Sequence, residues 1–128
     1  MLNKKAPIGV IDSGVGGLSV LKWLKELLPA ENFIYIGDTA RAPYGSRTAD
    51  EVKGFADQML NYLEEQQVKL VVLACNTMTV LGVPILHERR PFRILGMSKG
   101  EKLVLAASRN KHIGVMATEF TINSEAHK

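Results

Sequence analysis

Short apolar runs alternate with amphipathic stretches along the whole chain. "PIGVID" (7–12), "NFIYIGD" (32–38) and "VKLVVLAC" (68–75) are apolar runs of strand length. The third is continuous in apolar residues, as a strand covered on both faces should be. Between the first two, Leu18, Leu21, Leu24 and Leu28 recur at helical spacing as far as Pro29. Between the second and third, Thr48 and Glu51 form a T-x-x-E capping box that predicts a helix start. Val52, Phe55, Met59, Leu60 and Leu63 then supply its buried face up to about Gln67. "NTMTVLG" (76–82) opens a further helix. "FRILGM" (92–97) and "KHIGVMAT" (111–118) read as two more strands, with "KGEKLVLAASR" (99–109) as the helix between them. This order predicts an α/β fold, a parallel sheet wound with helices on both faces. A return helix is expected after the last strand, and "TEFTINSEAHK" (118–128) does not read as one.

Composition narrows the class. The 128 residues are 46% hydrophobic and 23% charged, the balance of a soluble globular domain. Net charge is +3, and the basic residues are dispersed apart from "HERRPFR" (87–93). Nucleic-acid binders concentrate such charge on one face, so no nucleic-acid partner is expected. The one cysteine excludes an internal disulfide framework and the usual zinc spacings, so no metal is expected. The N-terminus lacks a sustained apolar segment before a cleavage site, and no run approaches a membrane span; a cytoplasmic protein without membrane contact is the expectation.

Candidate chemistry gathers where the strands end, because ligands of open parallel sheets sit beyond the strands' carboxyl ends. Asp12, Ser13 and the turn "SGVGG" (13–17) follow the first strand. Asp38, Thr39, Arg41, Pro43, Tyr44, Gly45 and Ser46 follow the second. Cys75, Asn76, Thr77 and Thr79 follow the third. The glycines do not give the G-x-G-x-x-G or G-K-[ST] spacings of nucleotide loops. They can offer amides to an anion, or simply permit a tight turn. Asp12 can be a turn former or a proton acceptor. Tyr44 can pack over the sheet edge or sit on a loop that closes on a small ligand. A free cysteine is commonly a buried small hydrophobe. At a strand end and helix start, however, helix amides can stabilise a thiolate. His87, His112 and His127 are scattered, and each reads as a surface residue.

"IDSGVGGLSV", "IGDTARAPYGSR" and "VVLACNTMT", in that order, closely resemble the N-terminal half of glutamate racemase from about Pro7 to Thr79. The resemblance is looser to Met97 and resumes in "KHIGVMATEFTINSEAHK". It implies a cofactor-independent racemase that interconverts L- and D-glutamate and supplies D-glutamate for peptidoglycan. It implies an N-terminal α/β domain over 1–97 and the incomplete start of a second domain over 98–128. In that family two cysteines move the Cα proton, one on each face. The resemblance makes Cys75 the first of them and Asp12 its catalytic assistant. Ser13, Tyr44, Gly45, Asn76, Thr77 and Thr121 would bind the substrate. The family's Cys-Thr-His segment is absent, and "GMSKGE" stands where a Glu-Pro-Gly-like stretch is common. The expectation is therefore a truncated racemase. Three other readings stay open: an inactive relative binding a small dicarboxylate or a partner, a homodimer in which each copy lends Cys75, and a nucleotide-binding module.

Overall fold

The computed structural model describes residues 3–97 and 100–124. Four parallel strands form one sheet in the order β2-β1-β3-β4: β1 (Ile8–Asp12), β2 (Phe33–Gly37), β3 (Leu70–Leu73) and β4 (Arg93–Leu95). The helices are α1 (Leu18–Leu27), α2 (Ala49–Glu65), α3 (Asn76–His87), α4 (Glu101–Ala107) and α5 (Glu119–Ile122). The expected parallel sheet with helices on both faces is therefore what the chain forms.

Side-chain alternation along the strands divides the interior in two. Ile11 of β1, Val71 and Leu73 of β3 and Ile94 of β4 join the α2 face, where Val52, Ala56, Met59, Leu60 and Leu63 are buried. Ile8, Val10 and Val72 point the other way, onto Val20, Leu21 and Leu24 of α1. Leu18 and Leu28, the outer members of the leucine series, stay largely exposed, so α1 meets the sheet through its middle.

The start of α2 shows the complete capping box. Thr48 Oγ1 accepts from the Glu51 amide at 3.2 Å, and Glu51 Oε2 accepts from the Thr48 amide at 2.9 Å. Hydrogen bonds from the Thr48 backbone and then its side chain lower the Glu51 carboxyl pKa. That contribution is present above the ordinary glutamate pKa and fades as pH falls through the lowered value. Thr48→Ala is expected to reduce stability by about 1 kcal/mol in urea denaturation at neutral pH.

The basic cluster before β4 is held against α2. Arg90 donates to Asn61 Oδ1 at 2.6 Å and reaches Glu64 Oε2 and Asp57 Oδ1 at 3.1 Å each. Its charge is met by acidic side chains of this chain.

One expectation needs correction. Residues 111–118 form no strand: they run unpaired to α5, with Val115 and Met116 exposed. Their apolar character satisfies strand propensity, but β4 ends at Leu95 and pairs only with β3, so no ladder receives them. The helix opened by "NTMTVLG" is seen as α3, which kinks at Gly82, where φ is +122°, and runs over Pro84 to His87. The expected helix over 99–109 is seen as α4. Its residue Lys99, with Ser98, His127 and the rest of 125–128, lies outside the described residues.

Candidate active site

The sheet register brings the chemistry-bearing residues to one rim. Ile11 of β1 pairs with Ile36 of β2 and Leu73 of β3. Asp12, Asp38 and Cys75 accordingly stand at the carboxyl ends of neighbouring strands. The Asp38 amide donates to the Asp12 carbonyl at 3.0 Å, and the Ala74 amide donates to the Ile11 carbonyl at 2.8 Å.

The glycine turn does bind an anion, and the anion is the chain's own. Asp12 Oδ2 accepts from the Gly14 amide at 3.1 Å and from the Gly17 amide at 3.0 Å. Asp12 is buried, so these amides replace the water a carboxylate needs. The turn is tied down from β2: the Tyr35 hydroxyl donates to the Gly14 carbonyl at 2.8 Å. Burial, and then the Asp12 charge, raise the Tyr35 pKa and keep it a donor. Tyr35 escaped sequence reading because it lies inside an apolar strand run. Ser13, beside Asp12, is part-exposed.

Cys75 is the N-cap of α3, 6% exposed, with extended backbone (φ −97°, ψ 123°). Its carbonyl accepts from the Thr79 amide at 3.1 Å and the Thr79 hydroxyl at 3.0 Å. Thr79 Oγ1 in turn accepts from the Met97 amide at 3.1 Å, which fastens the end of β4 to α3. Asn76 is exposed, whereas Thr77 is buried and faces inward.

Thr77 leads to a row of hydroxyls. Its Oγ1 lies 3.2 Å from that of Thr118, which lies 3.0 Å from that of Thr121. Thr121, expected from the sequence, is buried; Thr118, the link between the other two, carries no sequence signal of its own. It can be recognised only once residues 113–118 are seen to cross the rim instead of pairing in the sheet. The same threonine packs on Gly45. A Cβ at that position would stand 2.5 Å from Thr118 Cβ, so the close approach needs glycine. The Phe120 amide donates to the Gly45 carbonyl at 3.2 Å.

Tyr44 is in place, but its hydroxyl is already engaged. The ring is buried, and the hydroxyl donates to Asp38 Oδ2, which also pairs with Arg41 Nε at 2.6 Å. A cavity of about 300 Å³ opens beside the first turns of α3, lined by Asn76, Thr79, Met97, Val104, Met116 and Thr121 among others. Cys75 does not line it. Its size is at the small end of ligand pockets. His87 and His112 are exposed, as expected. Among the described residues no three His, Cys, Asp or Glu side chains converge as metal ligands, and no helix is long and apolar enough to cross a membrane.

No family model matches the chain. Similar proteins are nonetheless consistent in kind. Glutamate racemase 1 of Caldanaerobacter subterraneus is 48% identical over 126 residues, which cover 98% of this chain and 47% of that relative. The crystal structure of a glutamate racemase isoform from Bacillus anthracis superposes with a TM-score of 0.83 at 37% identity, over 94% of this chain and 46% of that one. The glutamate racemase of Francisella tularensis, solved in complex with D-glutamate, gives a TM-score of 0.78 at 37% identity, over 95% of this chain and 46% of that one. The chain spans about half the length of the curated relatives it matches. By sequence and by fold, this chain belongs with the glutamate racemases, over the N-terminal half of their length.

Proposed function

We propose that this chain carries one half of a glutamate racemase site, in which Cys75 exchanges the Cα proton of glutamate without a cofactor. The observation that carries the reading is the shared rim: Cys75 at the head of α3, Asp12 at the end of the adjacent β1, and the Thr77–Thr118–Thr121 hydroxyls beside them. In this reading the Cys75 thiolate takes the proton, and the electron pair left on Cα delocalises into the α-carboxylate. Asp12, fixed by the Gly14 and Gly17 amides, meets the substrate ammonium and assists the transfer. Ser13, Gly45, Asn76, Thr77 and Thr121 hold the polar ends of glutamate. Tyr44 acts through its place in the loop, since its hydroxyl donates a hydrogen bond to Asp38. Residues 98–128 are read as the start of the second racemase domain. A soluble, cytoplasmic enzyme serving D-glutamate supply fits this chemistry.

Inversion needs an acid and a base on opposite faces of the planar carbanion, and this sequence holds one cysteine. A one-faced site, once its thiol has exchanged with solvent, delivers a solvent-derived proton back to the face the first one left. The expected outcome is loss of the Cα proton signal of L-glutamate in D₂O by proton NMR, with the L configuration retained in a chiral assay of the same sample. A folded chain that leaves the signal intact would remove the proposal. The single cysteine also favours a second reading, binding without turnover. It would give saturable D-glutamate binding by calorimetry beside an unchanged NMR signal.

A further inference from the structure

Asp38 reaches into most of the loop that follows β2. It is buried, its amide donates to the Asp12 carbonyl, and its own carbonyl accepts from the Arg41 amide at 3.3 Å and the Ala42 amide at 3.2 Å. One oxygen of its carboxylate accepts from the Tyr44 hydroxyl and forms an ion pair with Arg41 Nε. Each of these partners then rests on α2. The Arg41 guanidinium lies over the Phe55 ring at 4.3 Å and donates to Gln58 Oε1 at 2.8 Å. The Tyr44 ring packs on the same phenylalanine at 5.4 Å between centroids. Arg47, 5.8 Å from that ring, donates back to the Arg41 carbonyl at 3.3 Å. One residue beyond Tyr44, Gly45 lies against Thr118.

We infer that Asp38 is a positioning residue: by accepting from Tyr44 while it pairs with Arg41, its carboxylate seats the 38–47 loop on α2, with Tyr44 in the core cluster that holds Cys75, and Gly45 against Thr118. A buried carboxylate needs its partners, and both a hydrogen bond to a charged oxygen and an ion pair hold it, so neither partner leaves without cost. The phenol pKa agrees with this arrangement. Burial first, then the Asp38 hydrogen bond and charge, push Tyr44 far up; Arg41 opposes them, and the nearby Cys75 adds to the rise. Tyr44 thus remains a neutral donor to Asp38 throughout the range in which a thiol works. Losing the carboxylate frees the loop, uncovers Cys75 and withdraws Gly45 from the hydroxyl row. The last of these effects would weaken glutamate binding, a consequence that rests on the racemase reading; the uncovering of Cys75 does not.

The test is the rate of Cys75 modification by iodoacetamide, followed by intact mass, on the full chain shown folded by circular dichroism. Asp38→Ala is expected to raise the rate about tenfold, the scale of one charge-assisted hydrogen bond in a local opening. Tyr44→Phe, which deletes one oxygen and keeps the ring, should move it the same way. The double variant should go no further than Asp38→Ala, because both cut one link. Arg90→Ala loosens a different loop from α2 and is expected to leave the rate unchanged, whatever it does to Tm. Wild-type rates in folded Asp38→Ala or Tyr44→Phe would overturn the inference, as would an equal rise in Arg90→Ala. If Asp38→Ala does not fold, Tyr44→Phe decides. A chain inactive in D₂O exchange leaves this readout intact, so the two proposals fail separately.

Discussion

Cys75→Ala is expected to lower deuterium incorporation at Cα of glutamate by about 10³-fold, within the range that one positioned acid–base group contributes. The substitution removes the sulfur and little else. Cys75 is buried in the α2-face core, and deleting one heavy atom there costs about 1 kcal/mol of stability. The variant should stay folded, keep Asp12 in its cradle of amides and still bind D-glutamate. Rate, not fold, is then what is measured. Cys75→Ser separates shape from chemistry: the hydroxyl fits the space but is a far weaker acid than a thiol, so it should be nearly as slow as alanine. Exchange that persists in a folded Cys75→Ala protein would return Cys75 to the status of a small core residue and shift attention to Asp12.

The largest loss of stability is expected at the end of β2. A Cβ on Gly37 would collide with the Gly14 carbonyl oxygen, a backbone atom that cannot swing aside. That carbonyl also accepts the Tyr35 hydroxyl, and the Gly14 amide is one of the two that hold Asp12. To admit a methyl group the glycine turn must retreat, loosening Tyr35 and Asp12 together. Gly37→Ala is therefore expected to cost about 3 kcal/mol, the upper part of the usual range for overpacking. In thermal denaturation that corresponds to a fall in Tm of roughly 10 °C. A change below 2 °C, within about 1 kcal/mol, would mean that the turn is slack and Asp12 loosely held. The same variant should exchange the glutamate Cα proton more slowly where it remains folded, because Asp12 moves with the turn.

Much of this was legible before any coordinates, for reasons that differ by element. β1 and β3 announce themselves because both of their faces are buried, which forces unbroken apolar runs. The start of α2 is written in two residues, Thr48 and Glu51, whose mutual hydrogen bonds are local and need no partner from elsewhere. Asp12 and Cys75 could be placed at the rim because a parallel sheet delivers every strand end to the same side. What escaped depends on contacts between distant segments. The strand expected over 111–118 has suitable side chains but no neighbouring strand, and propensity carries no information about neighbours. Thr118 matters only through Thr77, Thr121 and Gly45, none of which it adjoins in sequence. The engagement of Tyr44 with Asp38 was equally invisible, since "DTARAPYGS" suits an open loop as well as one folded back on its own aspartate.

The order β2-β1-β3-β4 also constrains how the chain is assembled. β1 comes first in sequence yet lies inside the sheet, and Ile8 pairs with both Phe33 and Leu70. As the polypeptide leaves the ribosome, β1 has two unpaired edges until β2 arrives and one until β3 arrives, and no hairpin can form early because every pairing is parallel. Parallel pairings across long loops form slowly, and unpaired apolar edges invite association while they wait. α1 and α2 are made during that interval, and the apolar stripes of both are then the cover available to the growing strands. The strand that later presents Asp12 thus passes its most vulnerable period before β3 brings Cys75 to the rim beside it.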